Sequence, residues 1–139
     1  MSNVNLAKGL GVADEVSRVS IYKSGGAITV GNFVKFDVSA TGQRQADTIV
    51  RGTASGLTFG VALTAAHGAG EDVQVCTQGY CSVALTGGAV ASGDVVVAAA
   101  AGACVTLAAA GILPNLGVAL SDDAGTVGEL YLFGISISD

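Results

Sequence analysis

The chain has one histidine, His67, which is the residue best suited to acid–base chemistry, and Glu71 and Asp72 follow it closely. A carboxylate beside an imidazole tunes its pKa for proton transfer. In an internal repeat of the sequence, described below, Ala124 takes the place of His67. The repeated loop therefore does not require the imidazole, and we predict an exposed histidine at a loop tip with no catalytic role.

Acidic residues raise the question of a metal site. Asp122, Asp123 and Glu129 lie close together, but calcium takes about six or more oxygen ligands, and the chain has no D-x-D-x-D-G loop. Glu71 and Glu129 each follow a glycine, and we interpret each as the start of a strand after a turn. The motifs of nucleotide-binding loops, serine hydrolases and zinc proteases are also missing from the sequence. We therefore predict no catalytic residue, no cofactor, no metal and no enzymatic activity.

The three cysteines, Cys76, Cys81 and Cys104, form an odd set without C-x-x-C spacing. We interpret them as buried free thiols. Cys76 and Cys81 are also placed to face each other across a predicted turn at Gly79, where a disulfide would form only in an oxidising compartment.

Charge is distributed unevenly along the chain. Residues 1–51 contain six basic and four acidic residues, a net charge of +2, whereas residues 52–139 contain seven acidic residues and no basic one. The overall charge of −5 argues against nucleic-acid binding, because that binding depends on Lys and Arg contacts to phosphates.

The length of 139 residues is that of one small domain. Its apolar residues are mostly Ala and Val, which bury little area each, so we expect contacts between subunits to add stability. The first residues lack the pattern of a signal peptide. The uncharged stretch from Val95 to Leu113 is long enough to cross a membrane, but it is rich in Ala and Gly and has no flanking Lys or Arg. We predict no membrane segment.

An internal repeat organises the sequence. GGAxxxGNxV at 25–34 recurs as GGAxxxGDxV at 87–96, GVALT at 60–64 recurs as GVALS at 117–121, and GE at 70–71 recurs at 128–129. Residues 25–79 and 87–134 are therefore predicted to be two copies of one β-unit within a β domain at 25–139. Residues 1–24 lie outside both copies, and we predict an N-terminal arm there, with a possible first strand around Val19 and Ile21.

Alternating apolar and polar residues predict strands within each copy. Val34, Phe36 and Val38 are expected on a buried face, and the same period occurs at 73–75 and 135–137. Glycines at 42, 68–70, 79 and 102 mark the predicted turns. Because 95–98 matches 33–36, we expect short strands around the turn at Gly102 and a third strand after Pro114. The predicted fold is all-β, in a single small domain.

The repeated Gly-Val-Ala-Leu and Gly-Glu, together with Gly-Asp-Val-Val at 93–96, resemble the head decoration (capsid cement) proteins of tailed phages over about residues 25–134. That resemblance implies a β-barrel or bent β-ribbon of the β-clip type, assembled as a homotrimer. The trimer would bind the major capsid protein on the outer surface of the expanded head and stabilise it against internal DNA pressure. It implies a protein of the virion, made in the host cytoplasm. With the charge pattern, it makes Lys8, Arg18 and Lys23 candidate capsid contacts, on an arm that becomes ordered on an acidic capsid surface.

Two other classes of protein stay open. One is another virion or surface β-module, such as a head-fibre base or a carbohydrate-binding adhesin. An adhesin should cluster its exposed aromatics, whereas Tyr22, Tyr80 and Tyr131 are scattered along the sequence. The other is an enzyme on a β-clip-like fold, as in the deoxyuridine triphosphatases, for which this sequence offers no phosphate or metal site.

Overall fold

A computed structural model describes residues 17–39, 47–53, 58–106, 115–123 and 125–133. These residues form nine strands and one 3₁₀ turn at Ala100–Gly102. The strands are β1 (Ser17–Ser24), β2 (Phe33–Phe36), β3 (Thr48–Arg51), β4 (Thr58–Ala62), β5 (Asp72–Leu85), β6 (Val95–Ala98), β7 (Cys104–Thr106), β8 (Asn115–Ala119) and β9 (Val127–Leu132).

All nine strands belong to one sheet, in the order β1-β3-β2-β4-β5-β9-β8-β6-β7. A further antiparallel pairing of β1 with β5 closes the first five strands into a barrel. Its one parallel pairing joins β1 to β3 at Lys23 and Ser24. The predictions of an all-β fold, of a barrel and of a single small domain are confirmed.

Strand β5 is 14 residues long. It pairs with β1 and β4 in the barrel and with β9 in the rest of the sheet. Ser17 and Leu132 lie opposite Gly79 on its two sides. The chain therefore continues through Gly79 as a strand, and the predicted turn there is wrong. Gly79 has a φ of +93°, which glycine adopts without steric cost. We call the described residues before Gly79 half 1 and those from Gly79 onward half 2.

Two apolar clusters form the core. The first fills the barrel of half 1 with Ile28, Val34, Ile49, Phe59, Ala62, Ala66, Val73 and Val75, against which Tyr22 and Phe36 pack. The second joins interior residues of half 2 to three residues of half 1, and it contains Phe33, Val61, Cys76, Cys81, Ala84, Val90, Val96, Ala98, Cys104, Leu116, Ala119, Leu130 and Leu132. Half 2 therefore does not form its core alone.

The two halves share a hydrogen-bonding scheme. Equivalent backbone N–H···O contacts join Ser24–Glu71 and Thr86–Thr126, Gly25–Ile49 and Gly87–Cys104, Ile28–Ala66 and Val90–Asp123, and Gly31–Ala62 and Gly93–Ala119. Strand β1 therefore has the same place in half 1 as the second part of β5 has in half 2. β6 likewise takes the place of β2, as the sequence match of 95–98 with 33–36 predicts.

One part of the sequence match is out of register. The carbonyls of Glu71 and Thr126 have equivalent roles, so the offset at this point is 55 rather than the 58 of the Gly-Glu match. Glu71 precedes β5, as predicted, but Glu129 lies in the middle of β9. The interpretation of Glu129 as the start of a strand is wrong.

The alternation of apolar and polar residues correctly predicts which side chains at the start of β5 are buried, but it fails at the end of β2. Val73 and Val75 are buried and Gln74 is exposed, as expected. Val38, predicted to be buried, is 79% exposed. β2 ends at Phe36, and the carboxylate of Asp37 accepts the backbone N–H of Ser39 at 3.0 Å, so the chain turns before Val38 reaches the core.

The uncharged stretch that begins at Val95 forms β6, the turn at Gly102 and β7, as predicted. In the described part of the chain, no helix has the length and apolarity that a membrane crossing requires. The predictions for residues 1–16, for the turn at Gly42, for Pro114 and for the strand at 135–137 fall outside the described residues.

Candidate contact surfaces

His67 lies at an exposed loop, as predicted, and its side chain is 98% exposed. Its Nδ1 is 3.8 Å from a carboxylate oxygen of Glu71. The same carboxylate accepts the backbone N–H of His67 at 3.2 Å from each oxygen. Glu71 therefore holds the loop backbone together.

The cysteines are buried free thiols, which confirms the preferred interpretation. Cys76 and Cys81 share a side-chain hydrogen bond, which raises the pKa of Cys76 and lowers that of Cys81 to about 7. Burial raises the pKa of Cys104 to about 12. All three side chains belong to the second apolar cluster.

Acidic residues at one end of half 2 are bonded to the backbone. One carboxylate oxygen of Asp123 accepts the backbone N–H of Gly125 at 2.9 Å and of Thr126 at 3.0 Å, and it also accepts the hydroxyl of Thr86. The Thr86 bond, followed by those two, lowers the pKa of Asp123. Among the described residues, no group of three or more His, Cys, Asp or Glu side chains is arranged to hold a metal ion.

The candidate capsid contacts do not form one patch where they are described. Arg18 and Lys23 are both exposed and lie near opposite ends of β1, about 16 Å apart at strand spacing. The Lys23 ammonium is 2.6 Å from the carboxylate of Asp72. Lys8 lies outside the described residues.

Half 1 has an apolar row on the outer face of its barrel, formed by Phe33, Val61 and Cys76 on three neighbouring strands. Each of these side chains is at most 1% exposed. They are buried because they belong to the cluster that fills half 2. We call these three residues the covered row.

Half 2 has the equivalent row at Val95, Val118 and Tyr131. Val95 pairs with Val118 and Val118 with Tyr131, in the register that joins the covered row. Val95 and Val118 are half-buried, and Tyr131 is 42% exposed. We call these three residues the open row.

More apolar surface surrounds the open row. Tyr80 lies directly opposite Tyr131 across the β5–β9 pairing and is 38% exposed. Partial desolvation, together with the Glu129 carboxylate, raises the pKa of Tyr80. Leu120 lies two residues after Val118 and Phe133 lies two residues after Tyr131, and both side chains are also exposed. The tyrosines are therefore not all scattered, since Tyr80 and Tyr131 form a neighbouring pair.

Sequence reasoning missed both rows. The signal was present, because the outward positions of both copies hold apolar residues, Phe33 opposite Val61 in one and Val95 opposite Val118 in the other. Polar residues would be expected there on a water-facing strand.

Comparison with known proteins gives matches among solved structures only. No protein-family model matches the chain, and no curated protein does. The crystal structure of the head fibre gp8.5 N base of bacteriophage phi29 is similar, with a TM-score of 0.58 and 13% sequence identity, over 86% of this chain and 98% of that one. At this identity the likeness shows the fold alone.

Proposed function

We propose that the chain is a structural protein of a phage head, and that it decorates and stabilises the outer surface of the expanded head as a homotrimer bound to the major capsid protein. One observation supports a role in a phage head: the fold is shared over nearly the whole length of a head fibre base. The decoration role rests on the separate resemblance of the sequence to head decoration proteins.

The open row and the residues around it support a role in contact. Tyr80 and Tyr131 lie side by side in half 2 and, with Leu120 and Phe133, are each between 38% and 45% exposed. Half 1 also has exposed apolar side chains, at Val19, Ile21, Val30 and Val38. Contiguous apolar surface of this kind typically marks a site of protein association. Tyrosine is also enriched among the residues that dominate binding energy at interfaces.

A head-fibre base is the second candidate, and the structural match favours it. The two functions differ in what binding does to the shell. A decoration protein bridges capsid subunits and should raise the melting temperature of the head, whereas a fibre base needs only to attach.

Purified expanded heads test the proposal. The full chain should co-sediment with them, saturate at a fixed number of copies per capsomer, and raise the temperature at which the shell melts. Saturable binding without a rise in melting temperature would select the fibre base. Failure to bind at any concentration would refute both functions.

The N-terminal arm has a separate test. Deleting residues 1–16 leaves β1 intact, so we expect a folded protein that loses head binding, because the contacts of the arm with the shell outweigh the entropy cost of ordering it. Lys8→Gln should weaken binding more than Lys23→Gln, since Lys23 is already paired with Asp72. Co-sedimentation at several salt concentrations measures both effects. Full binding by the truncated chain would refute the arm model without affecting the rest of the proposal.

A further inference from the structure

The fold contains a precedent for covering the open row. In half 1, the equivalent covered row is buried by the interior of half 2, at 0% to 1% exposure. The strand register around the two rows is the same. The chain therefore shows how a row of this geometry is buried, namely against a second copy of the β-unit.

Three interior positions of half 2 have aromatic residues as their counterparts in half 1. Ala84, Ala98 and Leu116 belong to the cluster that contains the covered row. By the hydrogen-bond and register equivalence of the halves, their counterparts in half 1 are Tyr22, Phe36 and Phe59. We call these three residues the aromatic end.

The aromatic end is only partly covered by its own chain. Phe36 and Phe59 stack with ring centroids 4.4 Å apart, and Tyr22 meets Phe59 edge-on at 5.3 Å. Phe59 is buried, but Tyr22 and Phe36 are half-buried. The rings of Tyr22 and Phe36 stand where half 2 has the smaller Ala84 and Ala98, and part of each ring's surface remains exposed.

We infer that the open row of one chain packs against the aromatic end of a second copy of the same chain. The contact is head-to-tail, because it joins two different surfaces, and such contacts close into a ring when the rotation between copies allows it. The inference deepens the proposed function, which expects a homotrimer, by naming the two faces that meet. It concerns the chain alone in solution and does not depend on capsid binding.

Single substitutions test each face by sedimentation equilibrium of the purified full-length chain. Tyr131→Glu places a charge in the open row, and Tyr22→Gln removes a ring from the aromatic end. Each should weaken self-association at least about 30-fold, as expected for a central interface tyrosine. Tyr131→Phe and Tyr22→Phe keep the rings and should associate like the unmodified chain. Ala65→Glu adds the same charge at an exposed loop position outside both the open row and the aromatic end, and it should also leave association unchanged.

Mixing the Tyr131→Glu and Tyr22→Gln variants tests both faces in one measurement. Tyr131→Glu keeps an intact aromatic end and Tyr22→Gln keeps an intact open row, so an equimolar mixture should form a two-chain complex that grows no further. Recovery of this complex also shows that both variants are folded. If Tyr131→Glu does not fold, Val118→Lys on the same row replaces it.

Three outcomes would overturn the inference. The unmodified chain could be a monomer at all concentrations, which would leave the row to a capsid subunit or a saccharide. Both single variants could associate fully. The mixture could stay monomeric while the circular dichroism of each variant is native. Because no head is present in these measurements, none of these outcomes bears on head binding, and loss of head binding with self-association intact would refute only the proposed function.

Discussion

Half 1 and half 2 have the same strand register and differ in what lies outside them. The covered row of half 1 is buried against half 2, whereas the open row of half 2 has Tyr131 at 42% exposure. The interiors of the two halves also differ. The aromatic end of half 1 has large rings, whereas half 2 has two alanines at the equivalent positions. The core of half 2 is therefore completed by three residues of half 1. In the described part of the chain, the open row of half 2 stays partly exposed.

The largest contrast is expected at the equivalent positions Phe33 and Val95. Phe33→Ala removes a ring that is 0% exposed and should lower the free energy of unfolding by about 3–5 kcal/mol. Val95→Ala should cost less than about 1.5 kcal/mol in the isolated chain, because its side chain is only half-buried. Chemical denaturation of both variants at low protein concentration measures the difference. Equal losses would contradict the assignment of one covered row and one open row.

A second contrast comes from two glycines with the same backbone. Gly31 and Gly93 both have a φ of +93°. A Cβ on Gly31 would collide with the carbonyl oxygen of Val83 in half 2, while a Cβ on Gly93 would meet nothing within 4 Å. Gly93→Ala should therefore cost about 1 kcal/mol for the left-handed conformation alone.

Gly31→Ala should cost about 2–4 kcal/mol, since overpacking adds to that conformational cost. Thermal unfolding of the two variants, with the unmodified chain as control, measures both values. A Gly31→Ala variant as stable as Gly93→Ala would show that the junction between the halves is looser than described.

The smallest contrast concerns the hydrogen bonds that hold the loop next to Ser24 in half 1 and the loop next to Thr86 in half 2. In half 2, Thr86 and two backbone N–H groups donate to Asp123. In half 1, the equivalent Ser24 hydroxyl donates to the carbonyl of Gly68 at 2.5 Å and accepts the N–H of Glu71 at 3.0 Å. Among the groups that form these five hydrogen bonds, only the Asp123 carboxylate titrates in acid.

The pKa of Asp123 is lowered in the folded chain, so its contribution to stability is present above its unfolded pKa of about 4 and is lost as pH falls through the folded value. Asp123→Asn should therefore destabilise the chain at pH 7 and progressively less below about pH 4. Ser24→Ala should destabilise it by an amount that does not change over this range. Urea midpoints from pH 3 to pH 7 distinguish the two, and a parallel pH profile for both variants would contradict the role of Asp123.

The sequence predicts much of the architecture, because repetition and alternation are local signals. Val73 and Val75 alternate with Gln74 as a half-buried strand should, and the match of 95–98 to 33–36 correctly indicates β6. The same signals fail where tertiary context decides. Gly79 has the residue type of a turn, but pairing on both sides keeps it in β5.

The candidate surface was harder to predict than the fold. Phe33 and Val95 are both apolar residues at outward positions, and nothing in either local sequence says which one is covered. That depends on the path of β5 beyond Gly79, which brings half 2 over one row only. If the chain turned at Gly79, as the sequence predicted, half 2 would not be expected to lie over the covered row. The two rows could then not be told apart.

Hydroxyl-radical footprinting of side chains tests the central claim most directly, by comparing the unmodified chain with Tyr22→Gln at the same concentration. We predict that Tyr131 is protected from oxidation in the unmodified chain and becomes reactive in Tyr22→Gln, while Phe33 is protected in both. Equal reactivity of Tyr131 in the two proteins, at the level of an exposed side chain, would contradict the account.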